Sequence, residues 1–541
     1  MRTRKQIVLI IITLFLFSVT ACSSPEQDTP GDVEVTTEGE VTVVEEVATE
    51  EVEIEDACPA GGTLRTALAA PESLDPAFGA TNTANQIATI WMDYFIRFDP
   101  TTLQLDAPNS LAEAVEVNDD GTEWTFTVRS DVQFHNGRTL TAEDIVFTYD
   151  RLRDPEIGAP TVKLYSNITG IEAVDDSTVV FTLENPNPDF LLDLSDWHSR
   201  VMDSEVNDYE TEWNSTGAFL IESYSPEDRI VFTRNPNYWL EDKNGCSLPY
   251  LDRIELIFLS EDSARVEALR SAEIDYLVLL PVPYVSPLEE DSSVTVASVS
   301  TNQHNAINMR TDRGVGADNR VRQALKLATD RPEILDTALL GYGILGNDTP
   351  IGPAFGEYYL DENAKERDIE AAKALLADAG YADGLEIDIF TWDLASNVDL
   401  VTVWREQVAE AGVTVNINVL PSSVFYGDGT WLEADFTVVE WGMRPYPQLH
   451  LALAYECDAP WSSTHQCDEE LDALIKSAAS ELDYDTRIKL YHDIQRILMD
   501  RGGSIIPFFK ESFAAYRNVV VGVEPILSTQ WFSLADVYIT E

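Results

Sequence analysis

The chain has 541 residues, with 95 Asp and Glu against 35 Lys and Arg and a net charge of −60 at neutral pH. So acidic a chain repels phosphate backbones and anionic membrane surfaces, which excludes nucleic-acid binding driven by counterion release. Eleven Trp, twenty Tyr and twenty-one Phe can bury a large core, which excludes disorder along the whole chain.

Residues 1–21 carry Arg2, Arg4 and Lys5, then an uncharged, mostly apolar run from Ile7 to Val19, and no acid. This reads as a secretory signal whose apolar run is too short to span a bilayer comfortably. It ends in Val19-Thr20-Ala21-Cys22. That run resembles the bacterial lipobox, in which a diacylglycerol is attached to the cysteine and the chain is cut before it. The expectation is therefore a lipid anchor on Cys22, against an ordinary signal peptide or an uncleaved anchor helix. From Ser23 to Ala60 come thirteen acids with no Lys, Arg or aromatic residue. Such a stretch buries too little to offset its ordering entropy, so 22–60 reads as an acidic, disordered tether, although the alternating valines of 41–54 also suit a short strand.

The body from Gly61 onward alternates in the manner of strands at Trp124, Phe126 and Val128, at Val179, Phe181 and Leu183, and at Ile254, Leu256 and Phe258. Helical spacing places Val321, Ala324, Leu325 and Ala328 on one face, and Ile369, Ala372, Leu375 and Leu376 on another that Gly380 ends. Between Leu385 and Leu420 the order strand, helix, strand predicts a βαβ unit with a right-handed crossover. The body is thus α/β.

Cys22 apart, the cysteines are Cys58, Cys246, Cys457 and Cys467. An even number in an exported chain predicts two disulfides, Cys457 with Cys467 and Cys58 with Cys246. Zinc is the alternative, but neither a CxxC nor a His pair at ligand spacing accompanies them. The chain contains no GxSxG, no GxxxxGK[ST] and no HExxH, and its six His are scattered. The expectation is a protein that is not an enzyme and needs neither metal nor cofactor.

A series of segments carries a resemblance. Gly61-Gly62-Thr63-Leu64 leads into PESLDPAFGATN. There follow LAEAVEVNDDGTEWTFTVRSDVQFHNGRTLTAEDIVFTYDRL, a Thr-Gly-Ala-Phe at 216–219, RNPNYW at 234–239, VRQALKLATDR at 321–331, AKALLADAGY and YHDIQRIL. In that order they resemble the family 5 extracellular solute-binding proteins of ABC importers, which bind dipeptides, oligopeptides, nickel and oligosaccharides. Within the most specific segment, Thr141 with Asp144 is a helix-capping pattern and Asn136-Gly137 a tight turn, so His135 reads as a fold residue. Asn235-Pro236 with Tyr238-Trp239 likewise reads as a turn docked by aromatics.

The resemblance implies a two-lobed α/β periplasmic-binding-protein fold of type II, with an extra domain inserted in the N-terminal lobe and the ligand between the lobes. Carried onto this chain, domain I comprises 61–85, 217–300 and 511–541, the inserted domain II 86–216, and domain III, the second lobe, 301–510. It further implies a monomer that closes on a small-molecule solute and docks on the permease subunits of an ABC transporter. In peptide-binding relatives a strand ending in Trp is followed three residues later by an Asp that takes the ligand's ammonium; here Trp441 is followed by Arg444. A cation cannot hold an ammonium and calls for a carboxylate or another acceptor. By the same analogy Trp392, Trp441 and Tyr446 offer rings to a sugar or apolar group, and Asn82, Thr83, Gln303, His304 and Asn305 face the cleft. Dipeptide-binding relatives have a disulfide just after the Trp segment, at the place of Cys457 and Cys467. The ligand expected is peptide-like or oligosaccharide-like. A nickel or metal-chelate binder, resting on convergence of His304 and His450, and a sensor without transport remain the alternatives.

Overall fold

The computed structural model describes residues 58–59, 61–79, 81–100, 102–527 and 532–540. The signal segment, Cys22 and nearly all of the tether lie outside the described residues, as does Ala80 of the turn before Asn82.

Alternation builds a four-stranded antiparallel sheet in the order Ala112–Val117, Glu123–Val128, Thr178–Leu183, Ile168–Asp175. Phe126 and Phe181 face the same side and are fully buried, packing edge to face at 5.5 Å. Helix Ala142–Arg153 covers this face and brings Tyr149 to 5.3 Å from Phe181. Its start is the capping box expected of Thr141 and Asp144, and the buried Asp144 carboxylate also accepts from Arg138 Nη1 at 3.0 Å. Beside it, His135 Nε2 lies 3.0 Å from the Gly217 carbonyl oxygen, and burial lowers the imidazole pKa to about 4. His135 is thus a neutral residue of the fold.

The larger sheet has twelve strands. On one side Thr63–Leu68 pairs in parallel with Arg253–Phe258, and Arg229–Arg234 and Phe219–Ser225 continue outward. On the other, Leu385–Trp392 pairs in parallel with Val413–Leu420 across helix Ala395–Ala409, the βαβ unit read from the sequence. Two strands join the halves. Val294–Met309 pairs through residues 294–300 with Phe508–Arg517, slips register between Ser300 and His304, and then pairs through 304–309 with Phe436–Trp441. Such a slip re-aims side chains, and it falls where the chain leaves one half of the sheet for the other.

Both expected disulfides form, with Cα separations of 5.7 Å for Cys58–Cys246 and 4.3 Å for Cys457–Cys467. No helix among the described residues is long and apolar enough to cross a membrane.

Candidate functional site

Several separate pieces of chain meet at a cavity of about 600 Å³, among them the start of helix Asn82–Trp91, residues 160–164 and 196–198, the slipped stretch of the long strand, and residues 442–453. That volume suits a solute the size of a short peptide. The strand Phe436–Trp441 ends at a buried Trp441, Gly442 to Pro445 form an irregular segment, and Tyr446 starts helix Pro447–Ala454 with Pro447 in its first turn. Arg444 therefore sits on a short connection fixed at both ends.

The guanidinium of Arg444 lies over two rings, its carbon 5.6 Å from the centroid of Trp441 and 5.9 Å from that of Trp461. Trp461 belongs to the loop that the Cys457–Cys467 bridge closes, so this staple holds one wall of the cavity. The guanidinium has no carboxylate within 4.0 Å among the described residues; Nη1 reaches only the carbonyls of Gly442 and Met443, both at 3.4 Å. Burial lowers its pKa, and the negative charge of Asp196 opposes that effect.

Of the residues singled out by sequence, Asn82, Gln303 and Arg444 line this cavity. Gln303 is presented by the register slip, and its amide lies 3.4 Å from Glu440. Thr83 stands one residue inside the helix and is not part of the lining. Asn305 is fully buried, with its amide donating to the side-chain oxygen of Asn397. Trp392 packs against Tyr426 at 6.0 Å, and Trp441 against His450 at 4.1 Å. Tyr446 is buried, and its hydroxyl donates to Asp193. His304 and His450 do converge, with ring centroids 5.3 Å apart, but the rings lie nearly parallel and both are buried outside the lining. Burial lowers the His304 pKa to about 4 and that of His450 well below its ordinary value. Among the described residues no group of three metal-binding side chains is assembled.

Asp196, Trp197 and His198 also line the cavity, and nothing in their local sequence singles them out. They follow the short helix Phe190–Asp193. Asp196 Oδ1 accepts from the His198 amide at 3.0 Å and lies 2.6 Å from His198 Nδ1, while His198 Nε2 lies 2.9 Å from the Gly79 carbonyl oxygen. A second cavity, about 680 Å³, borders Arg97, Glu241 and Asp536 and holds none of the residues named from sequence.

The model of the bacterial extracellular solute-binding proteins, family 5 middle, matches residues 108–457. Di/tripeptide-binding protein 1 of Pseudomonas aeruginosa (strain UCBPP-PA14) is 26% identical over 431 residues, covering 72% of this chain and 78% of that protein. The dipeptide-binding protein of Escherichia coli (strain K12) is 24% identical over 465 residues, covering 77% and 84%. Among solved structures, the binding protein AgaA of A. tumefaciens R10 in complex with agropinic acid superposes with a TM-score of 0.72 at 22% identity, covering 89% of this chain and 99% of that one. The fold is thus the two-lobed α/β fold of periplasmic binding proteins.

Proposed function

This chain belongs to the bacterial extracellular solute-binding proteins of family 5, and from that premise we propose that it delivers a small solute with an acidic or acceptor-rich group to an ABC importer. The observation that carries the reading is Arg444, a partly buried cation held over two rings in the cavity with no carboxylate of the described chain within 4.0 Å. A buried guanidinium without a counter-charge is costly, and a ligand carboxylate accepting two parallel hydrogen bonds removes that cost. The names of the relatives support a peptide-like solute, and agropinic acid in AgaA supports an acidic one. An oligosaccharide-like solute is the other class, for which Trp197 and Trp461 are the rings that line the cavity.

Gln303, Asn82 and Arg444 are the ligand-facing set from the sequence reading. Trp441 serves by supporting Arg444, while Thr83, His304, Asn305, Trp392 and Tyr446 support the walls. The parallel, buried packing of His304 and His450 argues against a metal chelate. Domain I comprises 61–85, 217–300 and 511–541, domain II 86–216 and domain III 301–510; the slip between Ser300 and His304 speaks for a hinge at the first crossing. Solute that binds the closed form better shifts the population toward it, and that form docks on permease subunits. The lipobox-like run ending in Cys22 supports anchoring by lipid on the outer face of the cytoplasmic membrane or in the periplasm.

The test is native mass spectrometry of protein purified without added ligand. A retained solute bearing an acidic group, absent from Arg444→Ala, is the expected result. A solute retained equally by both proteins would remove Arg444 from the site.

A further inference from the structure

Asp193 and Tyr446 meet across 253 positions of sequence. On the domain reading above the one belongs to domain II and the other to domain III, as do Asp189 and Arg487, so lobes that part about a hinge would break both contacts. The contacts differ in charge. Asp189 has the guanidinium of Arg487 as its counter-charge, whereas Asp193 meets neutral donors alone, the Tyr446 hydroxyl and, at 2.7 Å, the Asn187 amide. Among the described residues no cation comes within 4.0 Å of the Asp193 carboxyl. The other groups packed around it give the anion no help. Asp189 and Asp196 on its own segment are carboxylates, Arg487 is committed to Asp189, and the hydroxyls of Tyr165 and Tyr491 go to the main-chain oxygen of Asp193 at 2.9 Å and to Gln448 at 3.4 Å. Burial, aided by the like charges, therefore keeps the carboxyl protonated up to about pH 7, with the Tyr446 hydroxyl opposing the effect. In an open form the side chain faces water and ionises near its ordinary value of about 4.

Resting on the solute-binding and lobe-closure reading above, we infer that closing the lobes takes up one proton, held by Asp193 against Tyr446. Closure moves this carboxyl from water into a site with no counter-charge, and a buried carboxyl without one is stable only when neutral. The proton is thus a second ligand of the closed form. The sign follows from linkage: the closed form has the higher value, so closure is favoured in acid and loses that support as pH rises through about 7. Between about pH 4 and 7 each unit changes the closing equilibrium about tenfold, and above that window it is level. Solute is then held more tightly on the acid side and exchanged more readily on the alkaline side, whatever its chemistry.

The experiment uses the full chain without added solute, and reads hydrogen exchange by mass spectrometry in residues 187–198 and 442–450 together with the radius of gyration by X-ray scattering, at about pH 5 and about pH 8 and fixed ionic strength. Exchange is corrected for its intrinsic pH dependence. Opening of both segments should rise roughly tenfold or more at the higher pH, with a larger radius. Asp193→Asn, which cannot ionise, should show neither change; it alters one charge among many, so general repulsion in the acidic chain is common to both proteins. Tyr446→Phe removes a donor to the anion and should move the midpoint to higher pH. Equal pH dependence in the parent and Asp193→Asn, or a midpoint that Tyr446→Phe leaves in place, would overturn the inference, as would exchange that follows pH while the radius does not. If pH is without effect but stripping the retained solute in denaturant and refolding enlarges the radius, the inference falls and closure on solute stands. If neither changes the radius, both fall.

Discussion

Three carboxylates of residues 189–198 differ in how residues 444–487 answer them. Asp189 accepts a bidentate pair of hydrogen bonds from Arg487, one of 2.8 Å from Nη1, with both side chains buried. Four residues on, Asp193 takes the hydroxyl of Tyr446 and, at 2.7 Å, the amide of Asn187. Three residues further, Asp196 borders the same cavity as Arg444 with no contact within 4.0 Å between them. Along one short segment, then, carboxylates go from fully partnered to half-partnered. The partnered end ties this segment to helix Tyr484–Arg501, and at the half-partnered end a cation and an anion border one cavity without contact with each other. Complementary charges that are already paired contribute to structure; the same charges held apart in a cavity contribute to recognition.

Breaking the partnered end gives the largest effect. Arg487→Ala leaves a buried carboxylate with no counter-charge and should cost about 3–5 kcal/mol in urea denaturation, whereas Asp189→Leu combined with Arg487→Met should recover most of that loss. If the single variant is as stable as the parent, the pair is not the fixed end.

A pH series on Asp193 sharpens the contrast. Burial raises its carboxyl from 3.8 to about 7, with the Tyr446 hydroxyl opposing the shift. Between about pH 4 and 7 the folded chain therefore holds a proton that the unfolded chain has released. This group's contribution is complete at low pH and is lost as pH rises through the folded value. The change is at most about 4 kcal/mol. Asp193→Asn should flatten the decline of stability across that window, and an unchanged slope would mean that Asp193 titrates normally.

The smallest effect has the opposite sign. Arg444→Met keeps the stem packed but removes a charge that burial disfavours, so the protein without solute should gain about 1 kcal/mol while losing binding. A stability loss would show that Arg444 is paired like Arg487 and is not held for a ligand.

Much of the fold was legible because its signals are local. The alternation at Trp124, Phe126 and Val128 and at Val179, Phe181 and Leu183 gave paired strands, and the pattern across Leu385–Leu420 gave the parallel unit with its helix. The cysteine pairs followed from parity and from the resemblance. At the site, the sequence located Arg444 because a known pattern is broken there, and Asn82 and Gln303 followed by analogy. Trp392, Tyr446 and His304 carry the same residue chemistry, but whether a ring faces a cavity or a core depends on what packs behind it. Tyr446 is two residues from Arg444, yet it points to Asp193 of another part of the chain.

Family, α/β class and the charge at position 444 can be read along the chain, because local periodicity, motif order and residue identity are properties of neighbours in sequence. That Asp196 shares a cavity with Arg444 across about 250 residues, and that Asp189 and Asp193 do not, emerges when distant segments pack. An anion's role depends on distance and burial relative to its partners, and those are set when separate segments pack together.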